Sequence, residues 1–255
     1  SVENLSLYLS PNQQYLQNKF KFVKPLNNVN VLTVQSDISY NNLPQRLRLF
    51  DGKEERINYH DFVTSNNVSV RRNIKGFFLT GLLGWNYKGQ YIVSDISDVV
   101  NIEKQNYSQS DIFASVNGDY SVGRFRFSGD FKLHHLSVGS KSLDYNRFFA
   151  DGRVSVTCKL NDVSSLVLSY NLQSSLHDVR TQFLGELWSD YKTAISYESI
   201  DEIGKVNTLN LHYSYIQPLN GTFISANINY NRGTELFATE SDFDDYYYRM
   251  HYVYM

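Results

Sequence analysis

The sequence predicts an all-β fold: an antiparallel transmembrane β-barrel, or a large part of one, with long tilted strands, short turns on one side and long loops on the other. Four observations carry this. Apolar and polar residues alternate along most of the 255-residue chain. The runs are about 9–12 residues long, enough to cross a bilayer at a tilt, whereas soluble strands average nearer 5–6. Tight turns near Asn27, Ile74, Gly123, Asp162 and Leu219 are separated by long polar connections, the asymmetry of membrane barrels. Aromatic residues gather at the ends of the runs, with Tyr40, Trp85, Tyr87 and Tyr170 far from the short turns and Tyr120, Phe125 and Tyr215 near them. Amphipathic rings prefer the headgroup level, so two girdles are expected.

Composition agrees. Hydrophobic residues make up 42% and charged ones 20%, which suits neither a disordered chain nor a helical membrane protein. Twenty Tyr and sixteen Phe favour strands. The net charge of −2 offers no basic surface for nucleic acid. The single cysteine, Cys158, excludes an internal disulfide and a cysteine-rich zinc site; on an apolar strand face it reads as a buried or lipid-facing thiol. No apolar run approaches the roughly 18 residues of a membrane helix, but barrel strands hide their hydrophobicity in alternation. No signal-peptide pattern opens the chain at Ser1-Val2-Glu3-Asn4.

In chain order, Leu5, Leu7 and Leu9 give a weak strand signal before Pro11. Tyr15 to Val23 sets Leu16, Phe20 and Phe22 against Gln17, Lys19 and Lys21, and Pro25-Leu26-Asn27-Asn28 turns the chain. Val29 to Tyr40 sets Leu32, Val34, Ile38 and Tyr40 against Thr33, Gln35, Asp37 and Ser39. A polar connection is expected over 41–60, with the charged run Asp51 to Arg56. The hairpin Asp61 to Lys88 follows, and its second strand puts Phe77, Leu79, Leu83, Trp85 and Tyr87 on one face. Gly89 to Ser110 is expected to be another long polar connection.

The clearest hairpin runs from Asp111 to His134. Ile112, Ala114, Val116, Gly118 and Tyr120 alternate with Asp111, Phe113, Ser115, Asn117 and Asp119. Past the turn, Phe125, Phe127, Gly129, Phe131 and Leu133 oppose Arg126, Ser128, Asp130, Lys132 and His134. Successive strand side chains point to opposite faces, so one face is greasy and the other carries both signs of charge. Mixed charge suits a lined lumen, with lipid on the greasy side.

After a loop over 136–146, Phe148, Ala150, Val154, Val156, Cys158 and Leu160 oppose Asp151, Arg153, Ser155, Thr157 and Lys159. Leu166, Leu168, Tyr170 and Leu172 then oppose Ser169, Asn171 and Gln173. In the mixed stretch 174–204, Phe183, Leu184, Leu187 and Tyr191 have helical spacing and suggest a short loop helix. Lys205 to Tyr215 and Thr222 to Asn231 form the next hairpin. Beyond an acidic loop over 240–245, alternation resumes at Tyr246 and is still running at Met255.

The lumen-lining candidates are therefore Arg126, Asp130, Lys132, His134, Asp151, Arg153, Lys159, Asn171 and Gln173. The charged members read either as a self-neutralising network bracing the wall or as a selectivity feature. His134 and His135 are adjacent, so they point to opposite faces and do not share a metal. Glu240, Asp242, Asp244 and Asp245 supply oxygen ligands of the kind calcium takes, but their irregular spacing favours a solvated acidic loop. No phosphate loop or metalloprotease pair occurs, and no spacing singles out a nucleophile and its base. Neither an enzyme nor a cofactor is expected.

Asn18 to Val23, the following turn, Val31 to Tyr40 and Leu43-Pro44-Gln45 resemble barrel segments of TonB-dependent outer-membrane proteins of Bacteroidota, as do Tyr213 to Leu219 with Thr222 to Tyr230. The resemblance implies nutrient uptake across the bacterial outer membrane by a barrel of roughly 22 strands. It also implies a plug domain, an energy-coupling protein and contact with outer-membrane lipid, with a surface lipoprotein as a further partner. This chain shows neither plug nor coupling box, and Met255 stands where such barrels usually end in an aromatic. The expectation is that 1–255 is a segment of eleven or twelve strands of a larger barrel protein, with a self-contained barrel of ten or twelve strands as the alternative. A non-transporting outer-membrane scaffold, and a soluble all-β glycan-binding domain using Tyr and Trp as sugar platforms, are the other readings of the same pattern.

The two faces yield a direct test. Phe127→Arg is expected to cost about 2–4 kcal/mol if the site faces mid-bilayer lipid. Ser128→Arg, one residue on, is expected to be tolerated. Reversible unfolding of both variants in lipid measures the difference, and equal losses would reject the assignment of faces.

Overall fold

The computed structural model describes residues 7–9, 13–48, 54–96, 102–140, 144–175, 187–188, 193–197, 203–234, 237–244 and 247–254. Eleven strands form one sheet: β1 (Leu7–Leu9), β2 (Gln14–Pro25), β3 (Asn30–Arg48), β4 (Glu54–Ile74), β5 (Phe77–Ile96), β6 (Ile102–Val122), β7 (Phe125–Ser140), β8 (Asp144–Lys159), β9 (Ser164–Ser175), β12 (Gly204–Gln217) and β13 (Thr222–Gly233). β1 and β2 pair with successive stretches of the same edge of β3, β1 with 45–47 and β2 with 31–42, and from β3 onward each strand pairs antiparallel with the next, β9 passing directly to β12. The sheet is open, with β2 and β13 at its edges. A smaller sheet joins β10 (Leu187–Trp188), β11 (Thr193–Tyr197), β15 (Tyr247–Tyr254) and β14 (Phe237–Asp244), with β11 running parallel to β15.

Asparagine makes four of the five short turns. The Asn27 side-chain oxygen accepts from the backbone N–H of Val29 (3.0 Å) and Asn30 (2.8 Å). Asn73 accepts from Gly76 N–H at 3.2 Å, Asn161 from Val163 N–H at 3.0 Å and Asn220 from Thr222 N–H at 3.3 Å. An asparagine carbonyl thus replaces the strand partner that the turning backbone lacks. Lys75 and Gly76 both have positive φ, 49° and 86°, the twist of a primed two-residue hairpin turn.

Register fixes the faces. Phe113 is the partner of Gly84 and of His134, and His134 is the partner of Phe149, so these four share one side of the sheet. That side holds nearly all the buried residues of the large sheet, with Leu136 only 1% exposed; Thr64 and Ser164 are the exceptions on the other side. The opposite side carries bare apolar residues such as Leu83 (68% exposed), Ile112, Val116, Phe131, Leu133 and Phe148 (82%). A curling sheet crowds the side chains on its inner face and spreads those on its outer one. The molecule is therefore polar within and apolar without, the reverse of a soluble sandwich.

The rings expected at the girdles all fall on the apolar face, and Trp85, Tyr170 and Tyr40 have partners at their polar tips. Trp85 Nε1 donates to Ser110 Oγ at 2.9 Å, the Tyr170 hydroxyl to Asn207 at 2.7 Å, and the Tyr40 hydroxyl lies 3.0 Å from His60 Nδ1. Near the short turns, Phe77 meets Tyr120 edge-on at 6.1 Å and Phe125 stacks with Phe127 at 6.2 Å.

Three expectations are corrected. The connections over 41–60, 89–110 and 136–146 are largely strand: β3 and β4 run on to Arg48 and Glu54, β5 and β6 to Ile96 and Ile102, and β7 and β8 to Ser140 and Asp144. Strands accordingly reach 21 residues. Their far ends have a polar outer side, so apolar alternation fades where the hydrogen-bond ladder does not. A small core of Tyr59, Ile92, Tyr107, Leu136 and Val138, backed by Leu43, Ile57, Tyr145, Phe149 and Ile203, holds these extensions together on the inner face. The suggested loop helix is replaced at Leu187 and Trp188 by a strand pairing with Ile195 and Ala194; Phe183, Leu184 and Tyr191 lie outside the described residues. The acidic loop is β14 up to Asp244, where Glu240 faces His251 and Asp242 faces Arg249 across the ladder; Asp245 lies outside the described residues. Asp242 and Arg249, opposite charges directly across the strand pair, neutralise one another.

Candidate functional site

All nine sequence candidates project from the inner face. Arg126, Asp130, Lys132 and His134 stand on β7, Asp151, Arg153 and Lys159 on β8, and Asn171 and Gln173 on β9. Asp130 faces Arg153 and Lys132 faces Asp151 across the β7–β8 pair, so opposite signs sit in register. Arg126 turns instead to β6 and grips Asp119 with two of its nitrogens, Nε to Oδ1 at 3.2 Å and Nη2 to Oδ2 at 2.7 Å. Such a fork is the strongest geometry available to an arginine and a carboxylate. Lys132 bends away from Asp151, and its Nζ lies 4.8 Å over the Phe113 ring.

The wall changes chemistry along the sheet. From β9 to β13 the inner face is uncharged, with Ser169 and Asn171 followed across the register by Asn210, Thr208, Asn229 and Asn231. Asn210 Nδ2 donates to Asn227 at 2.9 Å and also to Asn229.

His134 is the centre of the built part. The imidazole is 8% exposed and stacks on Phe149 with centroids 4.5 Å apart and planes 6° from parallel. Phe113 lies on its other flank at 5.7 Å. Phe113 reaches flat over β5 because its partner there is Gly84, where an added Cβ would sit 2.3 Å from the ring. Both oxygens of Asp111 lie 3.0 Å from His134 Nδ1. Asn86 donates to Asp111 at 3.4 Å, and Ser65 donates to Asn86 at 2.7 Å. On the far side, Asp151 Oδ2 is 3.6 Å from Nε2, and Asp151 Oδ1 accepts the Ser174 N–H at 2.9 Å. A polar line thus crosses the inner face from β4 to β9. In chemical terms it holds an imidazole in one orientation between two carboxylates, inside a frame of two aromatic rings.

His135 faces the other way and lies 4.4 Å from Phe148, so the two histidines are divided between the faces. Cys158 is half-buried on the apolar face, opposite Phe125 and Leu166. Among the described residues, no group of three His, Cys, Asp or Glu side chains is placed to ligate one metal. Sequence reasoning named His134 and Asp151 but missed Asp111, Asn86, Ser65, Phe113 and Phe149. The signal was available: with the turn at Gly123–Arg124 fixing the β6–β7 register, Asp111 lies diagonal to His134, a contact that strand geometry allows.

No protein-family model matches the sequence, and no curated protein matches it. Solved structures do match the fold. The copper transporter OprC superposes with a TM-score of 0.72 at 10% identity, covering 94% of this chain and 41% of that one. The ferric yersiniabactin uptake receptor FyuA of Yersinia pestis gives 0.63 at 10% identity, over 87% of this chain and 35% of the receptor. The siderophore receptor PiuA of Acinetobacter baumannii gives 0.59 at 10% identity, over 93% and 42%. The chain spans less than half the length of each of these proteins. These neighbours are TonB-dependent outer-membrane receptors.

The ring frame makes one prediction. Gly84→Ala is expected to destabilise the protein by about 1–3 kcal/mol, because the methyl displaces Phe113 from its seat. Gly81→Ala, where a Cβ meets nothing within 4 Å, is the control. Denaturant unfolding of the two variants in detergent measures the difference. The chain carries the fold of the barrel wall of TonB-dependent outer-membrane receptors and spans part of that barrel.

Proposed function

We propose that this chain is a stretch of barrel wall from an outer-membrane receptor that takes up a nutrient in the TonB-dependent manner. The observation that carries the reading is the inverted distribution of polarity: an apolar outer face bounded by rings with anchored polar tips, around a charged and amide-lined inner face. Water has no place on such an outer face, whereas lipid does. The nine inner-face residues then line the lumen. The rest of the same protein supplies the strands that close the edges β2 and β13, the plug, and the contact to an energy-coupling partner. Unpaired edge amides are costly in hydrocarbon, which makes closure by further strands a physical requirement of this reading. The far ends of the strands and the small sheet β10–β11–β15–β14 face the cell exterior and offer the surface for a lipoprotein partner.

Orientation and uptake are tested separately. In full-length protein carrying Cys158→Ser, Lys104→Cys is expected to react with an impermeant maleimide on intact cells, and Leu219→Cys only after the outer membrane is opened. Equal labelling of both on intact cells would reject the membrane assignment. For uptake, cells with and without the full-length protein are compared for accumulation of copper and of ferric chelates, the cargoes named for the structural neighbours, and of labelled oligosaccharides. Accumulation of one of them that an uncoupler abolishes is the expected result. A barrel that only scaffolds a surface partner gives no difference for any of them.

A further inference from the structure

We propose that His134 and Asp151 form a binding site for a divalent transition-metal ion on the inner face, with Asp111 orienting the histidine. The bidentate approach of Asp111, 3.0 Å from each oxygen to Nδ1, places the ring proton on Nδ1. In the neutral ring Nε2 then carries the lone pair. That atom is buried and has no hydrogen-bond partner, and it faces Asp151 Oδ2 at 3.6 Å. Asp151 Oδ1 is already satisfied by the Ser174 N–H, so Oδ2 is the free acceptor. Two acceptors facing each other away from bulk water repel unless a positive centre lies between them.

The spacing fits a metal. With metal–nitrogen and metal–oxygen bonds of about 2.1 Å, two tetrahedral ligands stand about 3.4 Å apart. The surroundings fit as well. A ligating histidine generally gives its other N–H to a carboxylate, which fixes tautomer and ring orientation, and Asp111 does this. Phe149 and Phe113 clamp the ring from its two flanks. Lys132, the cation nearest in register, has swung over Phe113 and leaves Asp151 Oδ2 open. The Asp151 side chain is 26% exposed, so the remaining coordination positions open toward the inner space, where water or ligand atoms complete them. One imidazole and one carboxylate suit zinc, copper(II) or nickel(II) better than magnesium or calcium. The site stands whether or not the barrel transports anything.

The test uses purified full chain in lipid nanodiscs, titrated with copper(II) and followed by electron paramagnetic resonance, with zinc(II) calorimetry in parallel. One equivalent is expected to bind with the hyperfine signature of a single imidazole nitrogen. His134→Gln and Asp151→Asn are each expected to weaken binding at least tenfold, and Asp111→Asn by about tenfold, as loss of an orienting partner does. The other five histidines are replaced by glutamine in a second background, which is expected to retain the signal; this reads the site even where a His134 variant fails to fold. Loss of the signal in that background, unchanged affinity in folded His134→Gln or Asp151→Asn, or no stoichiometric binding in the wild type would each overturn the proposal. The maleimide labelling above reports on the membrane reading independently of any metal result.

Discussion

The structure depends on one constraint, the hydrogen-bond ladder that runs unbroken from β2 to β13. A backbone amide in hydrocarbon has no water to bond, so every strand in the band must be paired on both sides. Long antiparallel pairing with a strict two-residue side-chain period follows, and with it the separation of the two faces. A slip of one residue would turn Phe127, Phe131 and Leu133 inward and expose Asp130 and Lys132 to the apolar surroundings. The mixed charges of the inner face are thereby held in register with their opposites rather than scattered.

That ladder also explains why charge is tolerated on the inner face. Asp130 stands opposite Arg153 in register, and the Arg126–Asp119 fork pairs opposite charges directly. Arg126 and Asp119 lie toward the short turns, where the side chains are more exposed and the pair contributes little stability by itself. The His134 line is different in kind. Its members are buried or half-buried, it connects six strands, and breaking it anywhere leaves a polar group without a partner. Stability and orientation of the site are therefore coupled. The glycine at position 84 belongs to the same device, since any side chain there would lift Phe113 away from the histidine.

The inner face is layered along the strands as well as divided across them. Beyond His134, toward the long ends, Leu136 and Val138 join Tyr59, Ile92 and Tyr107 in an apolar core. Before it, toward the short turns, lie Arg126, Asp130, Lys132, Asp151, Arg153 and Lys159, while Asp111 and Arg147 stand in the register row of Leu136 on the core side. The ring row Phe113–His134–Phe149 marks the boundary between the two. Strand extensions held by the ladder alone are prone to fraying, and this core ties them together.

Much of this was legible in the amino-acid order. Alternation assigned faces correctly wherever one side was apolar, from Leu16 and Phe20 through Ile112 and Phe131 to Leu209 and Ile228, because a two-residue period leaves no third choice. Turn positions were legible from Asn and Gly, whose side chain or backbone freedom the turns require. The strand extensions were not, since polar residues on the outer side erase the apolar signal while pairing continues. Nor was the smaller sheet, whose parallel pairing of β11 with β15 joins residues more than fifty positions apart. The nine inner-face residues followed from parity, but their grouping did not. Local pattern says which way a side chain points. Only the register between neighbouring strands decides that Asp111, His134 and Asp151 meet, because a contact across strands depends on where each hairpin turns rather than on what the strand contains.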